Sequence, residues 1–401
     1  MTTQLPALDI GTPAHPAPDP QELFRQLLTD TPVTWVPALQ AHLLVRRADV
    51  ASALRDSAFA PTSLTQNLKA LTEEQQERLR PVYDSITLWV GHTVPEDHKR
   101  FQLLLKRYFT PRTVEGLRPR INQIANELID RADGGMEVVA DLAYPLPAIV
   151  IAEMLGMPLD QREQLQRWSK HITALFAIST FDELLAAQQA VLEMQDYMLT
   201  LLEQRRAEPT DDLLSMFAAA ERDGLVSEAE IVANCVLLLF AGHETTARLI
   251  GNGLSLLFAN PEEFERLKAD PALMPSAVEE MMRVAGPASI IPRVTARQVE
   301  IAGQVFPEGT SFYLALGAAN RDPEVYTDPD RFDVARGNAG QQIGFGMGTY
   351  YCLGAALARV EASECFRVLL ERVPGLALAE PEERAIRFPL TEDLVALRVK
   401  F

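Results

Sequence analysis

Cysteine is scarce in this chain. Cys235, Cys352 and Cys365 are the only three in 401 residues. Three thiols make no disulfide framework, which sets aside the secreted, cross-linked class and leads us to expect a cytoplasmic protein. Basic charge is also short: 37 Lys and Arg face 55 Asp and Glu, for a formal net charge of −18. A field of that sign argues against nucleic acid or an anionic membrane as the main partner. Long apolar runs are missing too. The longest, around Val236 to Ala241, falls far below the length of a membrane span. The first residues, MTTQLPALDIGTPAHPAPDP, lack the basic and apolar regions of a signal peptide, and residues 1–18 are expected to form a flexible arm. There is no internal repeat, no domain linker and no G-x-G-x-x-G stretch of a nucleotide-binding unit.

What is present is mostly helix. DPQELFRQLL carries a cap-like Asp19 ahead of apolar positions at helical spacing. VTWVPALQAHLLVRR is β-branched and alternating, which predicts a small sheet near residues 33–46. From about residue 98 to 285 the pattern is helical, clearest in INQIANELIDRA, LLAAQQAVLEMQDYMLTLLEQRRAE and EAEIVANCVLLLFAGHETTARLIGNGLSLLF. Alternating pieces return in VEIAGQVFPEGTSFYLAL and DLVALRVKF. The expected architecture is mainly α with small β-sheets, in one large domain over residues 19–401.

The cysteines differ in setting. Cys235 and Cys365 lie inside helical patterns and read as small buried hydrophobes. Cys352 lies in FGMGTYYCLGAALAR, where Gly346, Gly348 and Gly354 let the backbone curl around it. A helix starting near Leu353 would set its positive end beside the sulfur, favouring thiolate. A thiolate there is a nucleophile or a metal ligand. No histidine is local to serve as base, and no second Cys or His stands at zinc spacing. A single thiolate as axial ligand to haem iron fits better.

The run Phe345-Gly346-x-Gly348-x-x-x-Cys352-x-Gly354 followed by Leu357-Ala358-Arg359 resembles the haem-binding loop of the cytochrome P450 family. Further segments fall in that family's order. AGHETT (Ala241 to Thr246) looks like its distal helix, with Glu244 and Thr245 as the acid–alcohol pair. The resemblance gives these two a catalytic role. Splitting dioxygen takes two protons, which an apolar pocket does not supply, and a hydroxyl can hold a water that the acid reloads. Ala241 would lie against the cofactor, and Gly242 would leave room beside it. A hydroxyl in such a helix can equally bond back to the preceding turn. EEMMR places Glu280 and Arg283 on one helix face. They resemble a structural pair whose third member would be Arg331 or Arg336. Arg293, after GPASIIP, and His98, in DHKRFQLLLKRYFTPR, stand where the family binds haem propionates. ANRDP and DPDRFDVAR complete the likeness.

Two positions depart from the family. Tyr350 replaces the common histidine two before the cysteine, and Gln102 replaces the arginine four after His98. Both are neutral donors, so the positive charge on that propionate would fall to His98 and Arg100. Phe345 would pack beside the sulfur. Lys106, Arg107 and Arg112 make a basic patch for an acidic ferredoxin, or simply a solvated helix face.

The resemblance implies a haem-thiolate monooxygenase, acting as a monomer. It would insert one oxygen atom from O2 into a C–H bond or alkene, with haem b as cofactor. NAD(P)H electrons would arrive through a separate reductase and a ferredoxin or flavodoxin. A peroxide-driven fatty-acid peroxygenase and a non-catalytic haem sensor or carrier are the alternatives. The retained Glu244–Thr245 pair speaks against both. Phe176, Phe181, Leu238, Ala241, Ile290, Ile291 and Leu394 are expected to line an apolar substrate pocket, fitting a polyketide, macrolide, terpenoid or fatty acyl compound.

Overall fold

The computed structural model describes residues 10–12, 15–16, 20–62, 71–158, 162–177, 179–387 and 391–401. The arm expected over residues 1–18 and the cap expected at Asp19 fall largely outside these. Within that arm, Ile10 is fully buried against the cluster holding Phe24 and Leu27.

The main elements, in chain order, are β1 (Val33–Val36), β2 (Ala41–Leu44), α1 (Arg47–Arg55), β3 (Phe59–Pro61), α2 (Pro95–Leu105), α3 (Pro111–Gly116), α4 (Pro145–Leu155), α5 (Phe181–Ala207), α6 (Glu228–Ala259), α7 (Met274–Ala285), β4 (Ile291–Thr295), β5 (Ser311–Leu314), α8 (Ala355–Arg372), β6 (Glu383–Arg387) and β7 (Thr391–Ala396). Helix dominates and the sheets are small, as expected. The five-stranded sheet runs β1-β2-β5-β4-β3, with β5 parallel to β2 and every other pair antiparallel. Its register sets Arg293 between Phe312 and Pro61.

Helix α6 spans 32 residues without a break. Its start is fixed by a capping box, in which Ser227 accepts from the Glu230 N–H and Glu230 accepts from the Ser227 N–H. Pro261 follows its C-cap, Asn260. Its sides pack on α4, α5, α7 and α8, so it is the axis of the helical core. The sheet carries its own apolar cluster around Phe59, Phe312 and Leu314. Between these two bodies lies the cavity described next.

Candidate active site

A cavity of ≈ 400 Å³ is walled by α6, by the loop and helix start around Cys352, by β4 and by α2. Along β4, Ile291 and Arg293 line it while Pro292 does not, the alternation of a strand. Along α6 the lining residues include Leu238, Ala241, Gly242, Thr245 and Leu249, a stripe of helical period.

The Cys352 loop is built as the glycines predict, with one exception. Gly346 and Gly348 have φ of +72° and +69°. A Cβ on Gly348 would also stand 2.8 Å from the Leu54 carbonyl oxygen at the end of α1. Gly354 has φ −82° and open space around its Cβ position, so its backbone does not demand glycine. Cys352 donates its N–H to the Phe345 carbonyl at 2.9 Å, which closes the loop. Its sulfur is exposed to the cavity, whereas Cys235 and Cys365 are buried. Burial pushes the Cys352 thiol up, and the N–H groups of Gly354 and Ala355 with the Arg359 guanidinium offset only part of this. A metal cation facing the sulfur would supply the rest.

Polar groups on this wall keep bonding capacity unused among the described residues. His98 gives Nδ1 to the Val90 carbonyl at 2.7 Å, while its Nε2 is buried with no hydrogen bond among the described residues. The Val90 segment is itself held by Asn234 of α6, which accepts from the Val90 N–H at 2.7 Å and donates to the Leu88 carbonyl at 2.8 Å. Arg293 donates to the Pro292 carbonyl at 2.8 Å and has no carboxylate partner among the described residues. Burial lowers its pKa to about 10, so it remains a cation at neutral pH. Gln102 lines the same wall.

Tyr350 also lines it, but its hydroxyl is spent. It donates to the Thr93 carbonyl at 3.0 Å, and the ring lies edge-on to His98 at 4.6 Å. Tyr350 therefore props His98 and offers no free proton of its own. The expectation for Arg100 fails. Its guanidinium donates to the Leu225 carbonyl at 2.8 Å and pairs with Glu230 and Asp97, away from the cavity. The group that sequence reasoning missed beside this wall is the His92 imidazole, which is neutral at neutral pH. Burial first, and then the Arg293 charge, lower its pKa to about 4.

On α6, Thr245 faces the cavity with its hydroxyl bonded back to the Ala241 carbonyl at 2.8 Å, and Thr246 bonds back to Gly242 at 3.3 Å. Glu244 does not line the cavity. Its carboxylate accepts from Arg248 Nε and Nη2 at 3.2 and 3.1 Å. Gly242 serves close packing as well as space, since a Cβ there would stand 3.0 Å from Ile151 of α4. Glu361 was not anticipated. It is fully buried on the cavity wall with no hydrogen bond at either oxygen among the described residues, and burial, offset in part by the nearby Thr246 hydroxyl, raises its pKa well above the usual carboxylate range. In the sequence it looks like one more acid on a charged helix.

Glu280 and Arg283 form a bidentate pair at 2.7 and 2.8 Å, both side chains 0% exposed. Arg283 also donates to the carbonyls of Asn320, Pro329 and Arg331. The third member is Arg336, whose Nε reaches Glu280 at 2.9 Å. The Arg331 side chain is 61% exposed and contributes only its carbonyl.

Of the expected substrate-lining residues, Leu238, Ala241 and Ile291 are on the wall. The other four point elsewhere. Phe176 is stacked between Trp89 and Phe240. Phe181 lies under Arg78, Ile290 packs in the cluster of Phe24, and Leu394 packs toward Gly251 of α6. Hydrophobicity marks Phe181, Ile290 and Leu394 as inward-facing but does not say toward which interior, and Phe176 is 45% exposed.

A cavity-facing sulfur, a guanidinium without a counter-ion and an imidazole nitrogen without a partner surround one space. This donor set fits a flat iron macrocycle with acidic side arms. The comparisons with known proteins agree. A family model described as Cytochrome P450 matches residues 68–373. Cytochrome P450 107B1 of Saccharopolyspora erythraea is 41% identical over 359 residues, 88% of this chain and 87% of that relative. The 6-deoxyerythronolide B hydroxylase of the same organism is 39% identical over 295 residues, 72% of this chain and 71% of its own length. The crystal structure of P450BioI, in complex with hexadec-9Z-enoic acid ligated acyl carrier protein, superposes with a TM-score of 0.89 at 31% identity, covering 95% of this chain and 98% of that one. With a family match over most of its length and these relatives beside it, the chain belongs to the cytochrome P450 family of monooxygenases.

Proposed function

We propose that the chain is a haem-thiolate monooxygenase of natural-product biosynthesis, acting on an apolar polyketide, macrolide, terpenoid or fatty acyl substrate. The observation that carries this reading is the cavity-facing Cys352 in its glycine loop, set across from Thr245. Two relatives support the substrate class: one is named for 6-deoxyerythronolide B, the other binds an acyl chain on a carrier protein. The aliphatic wall of Leu238, Leu249 and Ile291 suits such molecules.

Bound haem would supply dioxygen activation at an iron centre whose thiolate ligand favours O–O cleavage. Cys352 would be that ligand. Arg293 and His98 would hold the propionates, with Gln102 as a neutral donor and Phe345, Gly346, Ala241 and Gly242 against the ring. Thr245 would release its bond to the Ala241 carbonyl and hold a water. Glu244 would restore the proton that water gives up. The apolar wall keeps bulk water from the reacting carbon.

Electrons would come from NAD(P)H through a separate ferredoxin or flavodoxin, in the cytoplasm. Arg55, Lys99, Lys106, Arg107 and Arg112 are exposed and make no ion pair among the described residues, whereas most arginines elsewhere are paired. Arg55 lies on α1, Lys99 on α2, Lys106 and Arg107 in the turn after α2, and Arg112 on α3, and α1 and α3 pack against the Cys352 loop and α8. An acidic donor suits this face. Among the described residues no helix is long and apolar enough to cross a membrane.

The test is the absorption spectrum of the reduced protein under carbon monoxide. The strongly red-shifted band of thiolate-bound haem is expected in wild type and absent in Cys352→Ser. Without that band in wild type the reading fails. Turnover with a ferredoxin and reductase, but not with peroxide alone, separates the monooxygenase from a peroxygenase.

A further inference from the structure

Helix α6 carries two stripes. One faces the cavity. The other, Glu244, Arg248, Gly251 and Ser255, follows the spacing i, i+4, i+7, i+11 and faces the hairpin of β6 and β7. Three contacts fasten that hairpin to the second stripe. Arg248 bridges Glu244 and Asp393 of β7. Leu394 packs so close to Gly251 that a Cβ there would stand 3.1 Å from its methyl. Ser255 donates to Glu382 at 2.5 Å and accepts from Arg384 of β6 at 2.6 Å. The acid is thus held on the hairpin side of the helix, while its neighbour Thr245 looks into the cavity.

Arg248 is one cation serving two anions. Both of its bonds to Glu244 go to a single oxygen, Oε1, and its other nitrogen is taken by Asp393. A guanidinium shared in this way holds each carboxylate less firmly than it would hold either alone. What Asp393 withdraws from Arg248, Glu244 is freed to use.

We propose that Arg248 and Asp393 are positioning residues for Glu244: Arg248 retains the acid on the hairpin face of α6, and Asp393 loosens that hold, so the hairpin sets how readily the acid reaches the cavity edge. This rests on the reading of Glu244 as the proton source. Neither residue touches the reacting atoms. The β6–β7 hairpin then acts on proton supply through a single ionic contact.

The experiment uses the holoenzyme in its reduced, carbon monoxide-bound, diamagnetic form, with glutamate labelled by carbon-13 at the side-chain carboxyl. The Glu244 signal is the one lost in Glu244→Gln. It is expected to move in Arg248→Gln, to return in Arg248→Lys, and to move in Asp393→Asn. In the double variant Asp393→Asn/Arg248→Gln it should lie where Arg248→Gln alone puts it, because Asp393 acts only through Arg248. Product formed per NADH consumed is expected to fall about tenfold or more in Glu244→Gln, and about threefold in Asp393→Asn, where Arg248 grips the acid alone. That second loss should vanish in the Arg248→Gln background. A Glu244 signal unmoved by Arg248→Gln overturns the proposal, as do additive effects of the two substitutions. Unchanged coupling in Glu244→Gln instead overturns the role of Glu244 itself, and the carbon-13 shifts still decide whether Arg248 holds it.

Discussion

Replacing Glu280 should cost this protein more than any other single change to a charged side chain described above. Its carboxylate accepts four bonds: Arg283 Nε and Nη2 at 2.7 and 2.8 Å, Arg336 Nε at 2.9 Å, and the Asp333 N–H at 3.1 Å. Two guanidinium charges therefore share one counter-ion, and neither can turn to water, since their side chains are 0% and 9% exposed. Removing one partner of a buried pair costs about 3–5 kcal/mol, because an uncompensated charge stays behind. Glu280→Ala should lose that much. Glu280→Gln has almost the same shape, yet it should lose nearly as much, because its amide sets a donor against donors. The same geometry separates the two candidate arginines. Arg336→Gln should cost about 2 kcal/mol, and Arg331→Gln under about 0.5 kcal/mol, since only the Arg331 carbonyl takes part. Urea titration followed by tryptophan emission, at matched haem loading, reads all four. A Glu280→Gln variant within about 1 kcal/mol of wild type would refute the argument that charge pairing holds this corner.

Gly348→Ala should destabilise the thiolate loop by about 2–3 kcal/mol, combining a left-handed backbone with a contact to the rigid Leu54 carbonyl. Conversion to an inactive form with a blue-shifted carbon monoxide band should quicken, and an unchanged lifetime would count against it. Arg293→Gln should weaken haem retention by about 10–100-fold, the worth of a charge-assisted bond, as read by haem transfer to an acceptor apoglobin. In the haem-free protein, His92 should make the fold acid-labile. Its folded pKa of about 4 lies below the ordinary 6.5, so the unfolded chain binds the extra proton and stability falls as pH drops from about 6.5 to 4. His92→Gln should flatten that part of the stability–pH curve, and an unaltered slope would show that other groups dominate.

The thiolate loop was legible in the sequence because its glycines, cysteine and following helix stand within fifteen residues, and local backbone demands act over that range. The helical body and the small sheets were legible from periodicity for the same reason. Long-range geometry was not. Arg331 and Arg336 lie five apart in one polar loop, and only the folded chain shows which guanidinium turns inward. Arg100 sits two residues from His98, yet its helix turns it toward Glu230. Phe176, Phe181, Ile290 and Leu394 were expected on the cavity wall from hydrophobicity, which neither distinguishes one interior from another nor flags a half-exposed ring such as Phe176. Glu361 was overlooked because a glutamate in ARVEASE reads as solvated until its burial is seen.

The bond from Tyr350 to the Thr93 carbonyl joins two stretches 257 positions apart. One carries the sulfur, and the other runs into the helix of His98. With that strut in place the two rims of the cavity move as one piece, so a push on the outer side of the cysteine loop is felt at the imidazole. Tyr350→Phe would cut the strut while keeping the ring's contact with His98. The gap between the rims would then be free to breathe, and a prosthetic group gripped from both sides would be gripped from each side separately.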